Sequence, residues 1–159
     1  MTANDRIKLL QSMPFFGAVE DSSVALLLAS SETLTLQPGE YFFRQGDQGD
    51  SLYILEDGAV SIFKLFGDAE LELRDITEGG CFGDLALIDL TPRSASVRAK
   101  TTCTAIKISA SALHKLYQHD PEQFIIVQMN IARELSRRLR ASDERWFKLQ
   151  THTDRAGTE

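Results

Sequence analysis

Histidine and cysteine are scarce in this chain. Its 159 residues include 3 histidines and 2 cysteines. His114, His119 and His152 all fall in segments that read as helix or tail. No His-x-His on inward-facing strands is therefore available to hold a catalytic metal inside a β-barrel. No histidine lies in the strand-rich region beside Ser94, Ser96 or either thiol, so a nucleophile with its general base is missing as well. A His or Cys cluster for haem or an iron–sulfur centre is also lacking. Cys81 and Cys103 form no CxxC pair and read as ordinary buried thiols of a reducing compartment. No run approaches the roughly 18 consecutive apolar residues of a membrane helix. The opening MTANDRIKLL lacks the apolar core and cleavage site of a secretory signal. The expectation is a cytoplasmic protein without membrane contact, catalytic group, metal or resident cofactor.

What is present is an average globular composition, 43% hydrophobic and 25% charged, in a chain of one-domain length. The net charge of −6 is unevenly spread. Residues 1–129 carry 10 Lys and Arg against 18 Asp and Glu, whereas residues 130–150 carry 6 against 3. An acidic body argues against a general nucleic-acid binder, whose affinity rests on neutralising phosphates. The basic stretch needs its own explanation.

The periodicity divides the chain. Residues 1–31 read as N-terminal helices: Ile7, Leu9 and Leu10 make a short apolar face, and Val24, Leu27 and Leu28 follow helical spacing behind a cap at Asp21 or Ser22. The intervening MPFFGAV reads as an apolar loop that packs on something larger. From 32 to 109 the period falls to two, with turn pairs at Pro38-Gly39, Gly46-Asp47, Asp57-Gly58, Gly67-Asp68 and Gly79-Gly80. Leu71 and Leu73 alternate with Glu70, Glu72 and Arg74, the pattern of a strand with one wet face. Many short strands predict a β-sandwich, jelly roll or barrel, so the fold class is mainly β with flanking helices. Helix returns over 110–150. Pro121 opens a long segment in which Ile131, Leu135, Leu139 and Trp146 form a stripe, with Arg133, Glu134, Arg137 and Arg140 mostly off it. Such a helix extends about 40 Å at ~1.5 Å per residue, longer than a small β-domain needs for its core. Part of its stripe is thus free for a partner. Residues 151–159 read as a polar, frayed tail.

One segment, 79–97, interrupts the strand rhythm: GGCFGDLALIDLTPRSASV. A short helix entered through glycine presents unpaired backbone N–H groups at its first turn. Arg93 follows a Thr91-Pro92 turn and offers a planar, permanently charged donor, with the Ser94 hydroxyl beside it. These parts describe a small phosphate cradle.

Phe82-Gly83-Asp84-Leu85-Ala86-Leu87, followed by Pro92-Arg93-Ser94-Ala95-Ser96-Val97, resembles the phosphate-binding cassette of cyclic nucleotide-binding domains, FGE(L/I)AL followed by R(S/T)A. The segment PGEYFFRQGDQGDSLYILEDGAV resembles the first hairpins of that family. The helix from Pro121, with ARELSRRL, resembles its C-terminal helix, where relatives of the catabolite-activator type dimerise. The resemblance implies a β-roll or jelly roll of the cyclic nucleotide-binding type, with cyclic AMP or cyclic GMP as ligand. The N–H groups of Gly83, Leu85 and Ala86 then face the cyclic phosphate and Arg93 neutralises it. Ser94 sits beside the phosphate or near a syn guanine, and Ile62 and Leu73 line the base pocket. On the long helix Arg138 is the candidate for a guanine or a second phosphate, against the plainer reading of a solvated face. Trp146 and Phe147 are candidates for stacking on the base or for a dimer seam.

Asp84 departs from the pattern. The family's usual Glu accepts a hydrogen bond from the ribose 2′-OH, and Asp is one methylene shorter, so its oxygen falls roughly 1–1.5 Å short. A role for Asp84 as N-cap of the short helix is compatible with this. No helix-turn-helix, kinase, cyclase or channel segment follows the long helix, so the expectation is a stand-alone sensor, a homodimer through that helix, acting on an effector protein without binding DNA. The competing expectation is an interaction module of the same fold that binds no cyclic mononucleotide, or binds a cyclic dinucleotide.

Overall fold

The computed structural model describes residues 1–157. Helix α1 (Ala3–Gln11) begins in a capping box, in which Thr2 accepts from the Asp5 N–H and Asp5 accepts from the Thr2 N–H. Helix α2 (Asp21–Ala29) starts one residue earlier than its sequence suggests. Glu20 is the N-cap without a side-chain bond, and Asp21 instead accepts from Gln11 at 2.7 Å, tying α2 to α1.

Eight strands follow: β1 (Glu32–Leu36), β2 (Tyr41–Phe43), β3 (Ser51–Asp57), β4 (Ala59–Phe66), β5 (Ala69–Thr77), β6 (Cys81–Phe82), β7 (Ser96–Ala99) and β8 (Cys103–Ser109). They form two antiparallel four-stranded sheets, ordered β1-β8-β3-β6 and β2-β7-β4-β5. The short helix α3 (Asp84–Asp89) leaves β6, and α4 (Ala110–His119) and α5 (Pro121–Ala156) close the chain.

Strands β3 and β8 are buried on both faces, which an alternating pattern with a wet side does not anticipate. Tyr53, Leu55, Cys103 and Ala105 point into the roll between the sheets. Leu52, Ile54, Ile106 and Ile108 point the other way, into a second core with Leu10, Phe15, Phe16, Leu27, Leu116 and Val127. The helices thus cover the outer face of one sheet. The apolar loop expected at MPFFGAV is a 3₁₀ turn (Pro14–Phe16) clamped to α5, where Asn130 donates to the carbonyls of Phe15 (3.2 Å) and Gly17 (2.8 Å).

Helix α5 runs 36 residues, about 54 Å at ~1.5 Å per residue. It continues six residues past the end expected at Gln150, because neither Pro nor Gly interrupts it before Gly157; the Thr151 and Thr153 hydroxyls bond back to the carbonyls of Phe147 and Leu149, which satisfies these polar side chains within the helix. Of the frayed tail expected over 151–159, residues 151–156 are therefore helical, and Thr158 and Glu159 lie outside the described residues. From Leu139 onward only Thr151 is even partly covered among the described residues of the helix. No helix among the described residues is long and apolar enough to cross a membrane.

Candidate functional site

The cassette is held between the roll and α5. Gly83 is the N-cap of α3 with φ 77°, a conformation glycine adopts without strain. A Cβ there would also meet the Arg93 guanidinium at 2.8 Å and Phe43 at 3.1 Å. Asp84, a possible N-cap on sequence grounds, is instead the first residue of the helix.

Arg93 is 6% exposed. It donates from Nη1 to the Gly83 carbonyl (2.7 Å) and from Nη2 to the Ser51 carbonyl (2.9 Å), and its Nε has no partner. Its guanidinium lies over the Phe43 ring, 4.0 Å from the centroid. Gly49 lets it lie there, since a Cβ at that position would come within 2.2 Å of Nε. Among the described residues no carboxylate pairs with this cation, and burial pulls its pKa down while Tyr53, Asp50, Asp47 and Asp84 only partly oppose the effect.

Arg93 borders a cavity of about 370 Å³, within the range of small-ligand sites. Phe82, Gly83, Asp84, Leu85, Ala86 and Ser94 line it on the cassette side, and Ile62 and Leu73 on the β4–β5 side. Nine of the ten residues singled out from sequence are thus brought together. The lining also includes residues given no site role from sequence, among them Phe43, Lys64, Arg74 and Asp89.

Arg138 is the tenth, and it stands outside the lining. Its side chain is partly exposed and already engaged, since its Nη1 donates to Asp84 Oδ2 and its Nε to Glu134 at 3.1 Å. Glu134, placed among the off-stripe charges by its spacing, is 6% exposed. The face of α5 turned to the body runs Val127, Ile131, Glu134, and Glu134 sits where the cassette crosses it. The Arg137 bond, and after it Arg138, hold the Glu134 carboxyl below its ordinary range against burial. Burial opposes the charge on Arg138, but Asp84 and Glu134 outweigh it and hold its pKa above the usual value. The Cys81 thiol is pushed up to about 12, first by burial and then by the Asp84 carboxylate, so it stays protonated at neutral pH. Trp146 and Phe147 are 65% and 62% exposed and do not reach the cavity.

A β-roll whose buried arginine borders a cavity of this size matches the cradle expected from the cassette sequence. Residues 33–120 match the model of the cyclic nucleotide-binding domain, and the chain belongs to that family. Over 114 residues it is 32% identical to the potassium/sodium hyperpolarization-activated cyclic nucleotide-gated channel 2 of Mus musculus, which covers 72% of this chain but only 13% of the channel. The N-terminal domain of a transcriptional regulator from Streptomyces coelicolor A3(2) superposes with a TM-score of 0.76 at 30% identity, over 84% of this chain and 93% of that one. The regulatory domain of Toxoplasma gondii PKA, solved with cAMP, gives a TM-score of 0.70 at 26% identity, over 85% and 50%.

Proposed function

We propose that this chain is a sensor that binds cyclic AMP or cyclic GMP and passes the signal to a partner protein. The observation that carries the reading is Arg93, a buried cation whose partners are two neutral carbonyls and whose Nε has none. A buried charge without its counter-charge is costly, and a singly charged cyclic phosphate supplies it. In this reading the N–H groups of Gly83, Leu85 and Ala86 complete the phosphate cradle, Phe82 floors it and Ser94 stands beside it. Ile62 and Leu73 flank the base, and Asp84 takes the ribose hydroxyl. Because Asp84 is bonded to Arg138 on α5, ligand capture and the seating of that helix compete for one carboxylate. In this reading the chain binds its ligand and leaves it chemically unchanged. Leu135, Leu139, Trp146 and Leu149 repeat at heptad spacing along α5, and the last three are 63–65% exposed, so a second copy of the chain docks along this seam.

The Asp84–Arg138 pair also favours a second reading. The acid that a ribose needs is already engaged, as it would be in an interaction module that binds no cyclic mononucleotide. Calorimetry against cyclic AMP, cyclic GMP and cyclic di-GMP separates the two. Binding of a mononucleotide, weakened roughly 10-fold to well over 100-fold by Arg93→Ala, is the expected result. Silence with all three supports the module, and binding unchanged by Arg93→Ala removes the cavity assignment.

A further inference from the structure

Strand β5 breaks its own alternation. Ile62 pairs with Arg74 and Phe63 with Glu72, so Leu73 is the extra residue of a β-bulge. Strict alternation would send Arg74 to the same face as Glu70 and Glu72. The bulge turns it to the face of Ile62, and Lys64, two residues beyond Ile62 on β4, shares that face. Both cations line the cavity.

The acids of β5 are left on the opposite face, and each is occupied there. Glu70 holds Arg98 (3.0 Å), Glu72 accepts from Ser61 (3.3 Å) and Asp75 holds Lys100 (2.6 Å). Lys64 and Arg74 have no hydrogen-bond or ion-pair partner among the described residues. The β4–β5 wall therefore offers the cavity donors only, since neither an ammonium nor a guanidinium can accept.

We propose that Arg74, with Lys64 beside it, selects a guanine base, making the site's ligand a guanine-type cyclic mononucleotide. This rests on the cavity being the cyclic nucleotide site with Arg93 at the phosphate. Guanine presents two acceptors, O6 and N7, on one edge, which a guanidinium meets with two parallel donors. Adenine presents N7 beside an amino group, which would set donor against donor. Inosine shares O6 and N7 and lacks the 2-amino group, so the wall receives it as it receives guanine.

The test is titration of cyclic GMP, cyclic IMP and cyclic AMP against the full chain, Arg74→Ala, Lys64→Ala and Arg93→Ala. Arg74 is exposed on an edge strand, so its truncation spares the core. Cyclic GMP and cyclic IMP are expected to bind roughly 5- to 150-fold more tightly than cyclic AMP. Arg74→Ala removes most of that margin and leaves cyclic AMP nearly unchanged, Lys64→Ala removes a smaller part, and Arg93→Ala weakens all three together. Equal affinities, a preference for cyclic AMP, or an equal loss for all three ligands in Arg74→Ala would overturn the proposal while leaving the cavity assignment intact. So would a cyclic IMP affinity that falls to the level of cyclic AMP, which would assign the reading to the 2-amino group, or a tighter, Arg74-dependent binding of cyclic di-GMP, which would make the wall a second phosphate site. Binding of none of the ligands removes the cavity assignment and this inference together.

Discussion

Replacing Arg138 by Gln isolates the link between the cassette and α5. The substitution leaves the Asp84 carboxylate, 8% exposed, without its cation. Removing one partner of a fully buried pair costs about 3–5 kcal/mol. Arg138 is itself 39% exposed, so water reaches and screens the pair, and about 1–2 kcal/mol is the appropriate scale here. At an m-value of about 2 kcal/mol/M this lowers the urea midpoint by about 0.5–1 M. Asp84→Asn is milder, about 0.5–1 kcal/mol, because Arg138 keeps Glu134. The double variant is then less damaged than the sum of the two, with a coupling of about 1 kcal/mol. Circular dichroism at fixed protein concentration is the readout, since the lone tryptophan, Trp146, is exposed on α5 and reports the core poorly. A second arm compares a cyclic nucleotide with its 2′-deoxy analogue. Freed from Arg138, Asp84 can turn to the ribose, so the margin between the two ligands widens in Arg138→Gln. Additivity within about 0.5 kcal/mol, with an unchanged 2′-deoxy margin, would refute the reasoning.

Two further outcomes follow from the geometry. Gly49→Ala places a Cβ within 2.2 Å of Arg93 Nε and forces the guanidinium off its two carbonyls, so cyclic nucleotide binding should weaken roughly 10-fold or more and the thermal midpoint should fall by at least a few degrees; unchanged affinity and midpoint would show that the guanidinium shifts freely. Leu139→Glu or Trp146→Glu puts a charge on the exposed seam of α5 and should convert a sedimenting dimer into a monomer, whereas a wild-type chain that stays monomeric at all concentrations excludes the seam.

The cassette was legible because its geometry is encoded locally. A glycine at positive φ, a short apolar turn of helix and an arginine after a proline turn are contiguous, and their order along the chain predicts one cradle. The strand-rich body was legible for the same reason, through period and turn residues. What stayed hidden depends on residues far apart in sequence. The bulge at Leu73 exists only in the pairing of β5 with β4, and it moves Arg74 from the acidic face to the cavity. Glu134 reads as one of several charges on a helix face, and its burial shows only once α5 is seated on the body of the domain. Gly49 carries no signal in the sequence, yet its missing side chain is what admits Arg93.

The replacement of the family's usual Glu by Asp84 takes on a different meaning once Arg138 is in view. Taken alone, a shorter acid is a weakened ribose contact. Bonded to Arg138, which also holds Glu134, it is a tether between cassette and helix. If the ribose hydroxyl must displace Arg138, the free energy lost from that bond is subtracted from ligand affinity and appears as loosening of α5. Linkage requires the converse too: whatever holds α5 against the cassette, a second copy or an effector, lowers ligand affinity by the same factor. A pair worth about 1 kcal/mol sets that factor at roughly fivefold. The shorter acid therefore trades a modest amount of affinity for a direct mechanical connection from the sugar to the helix.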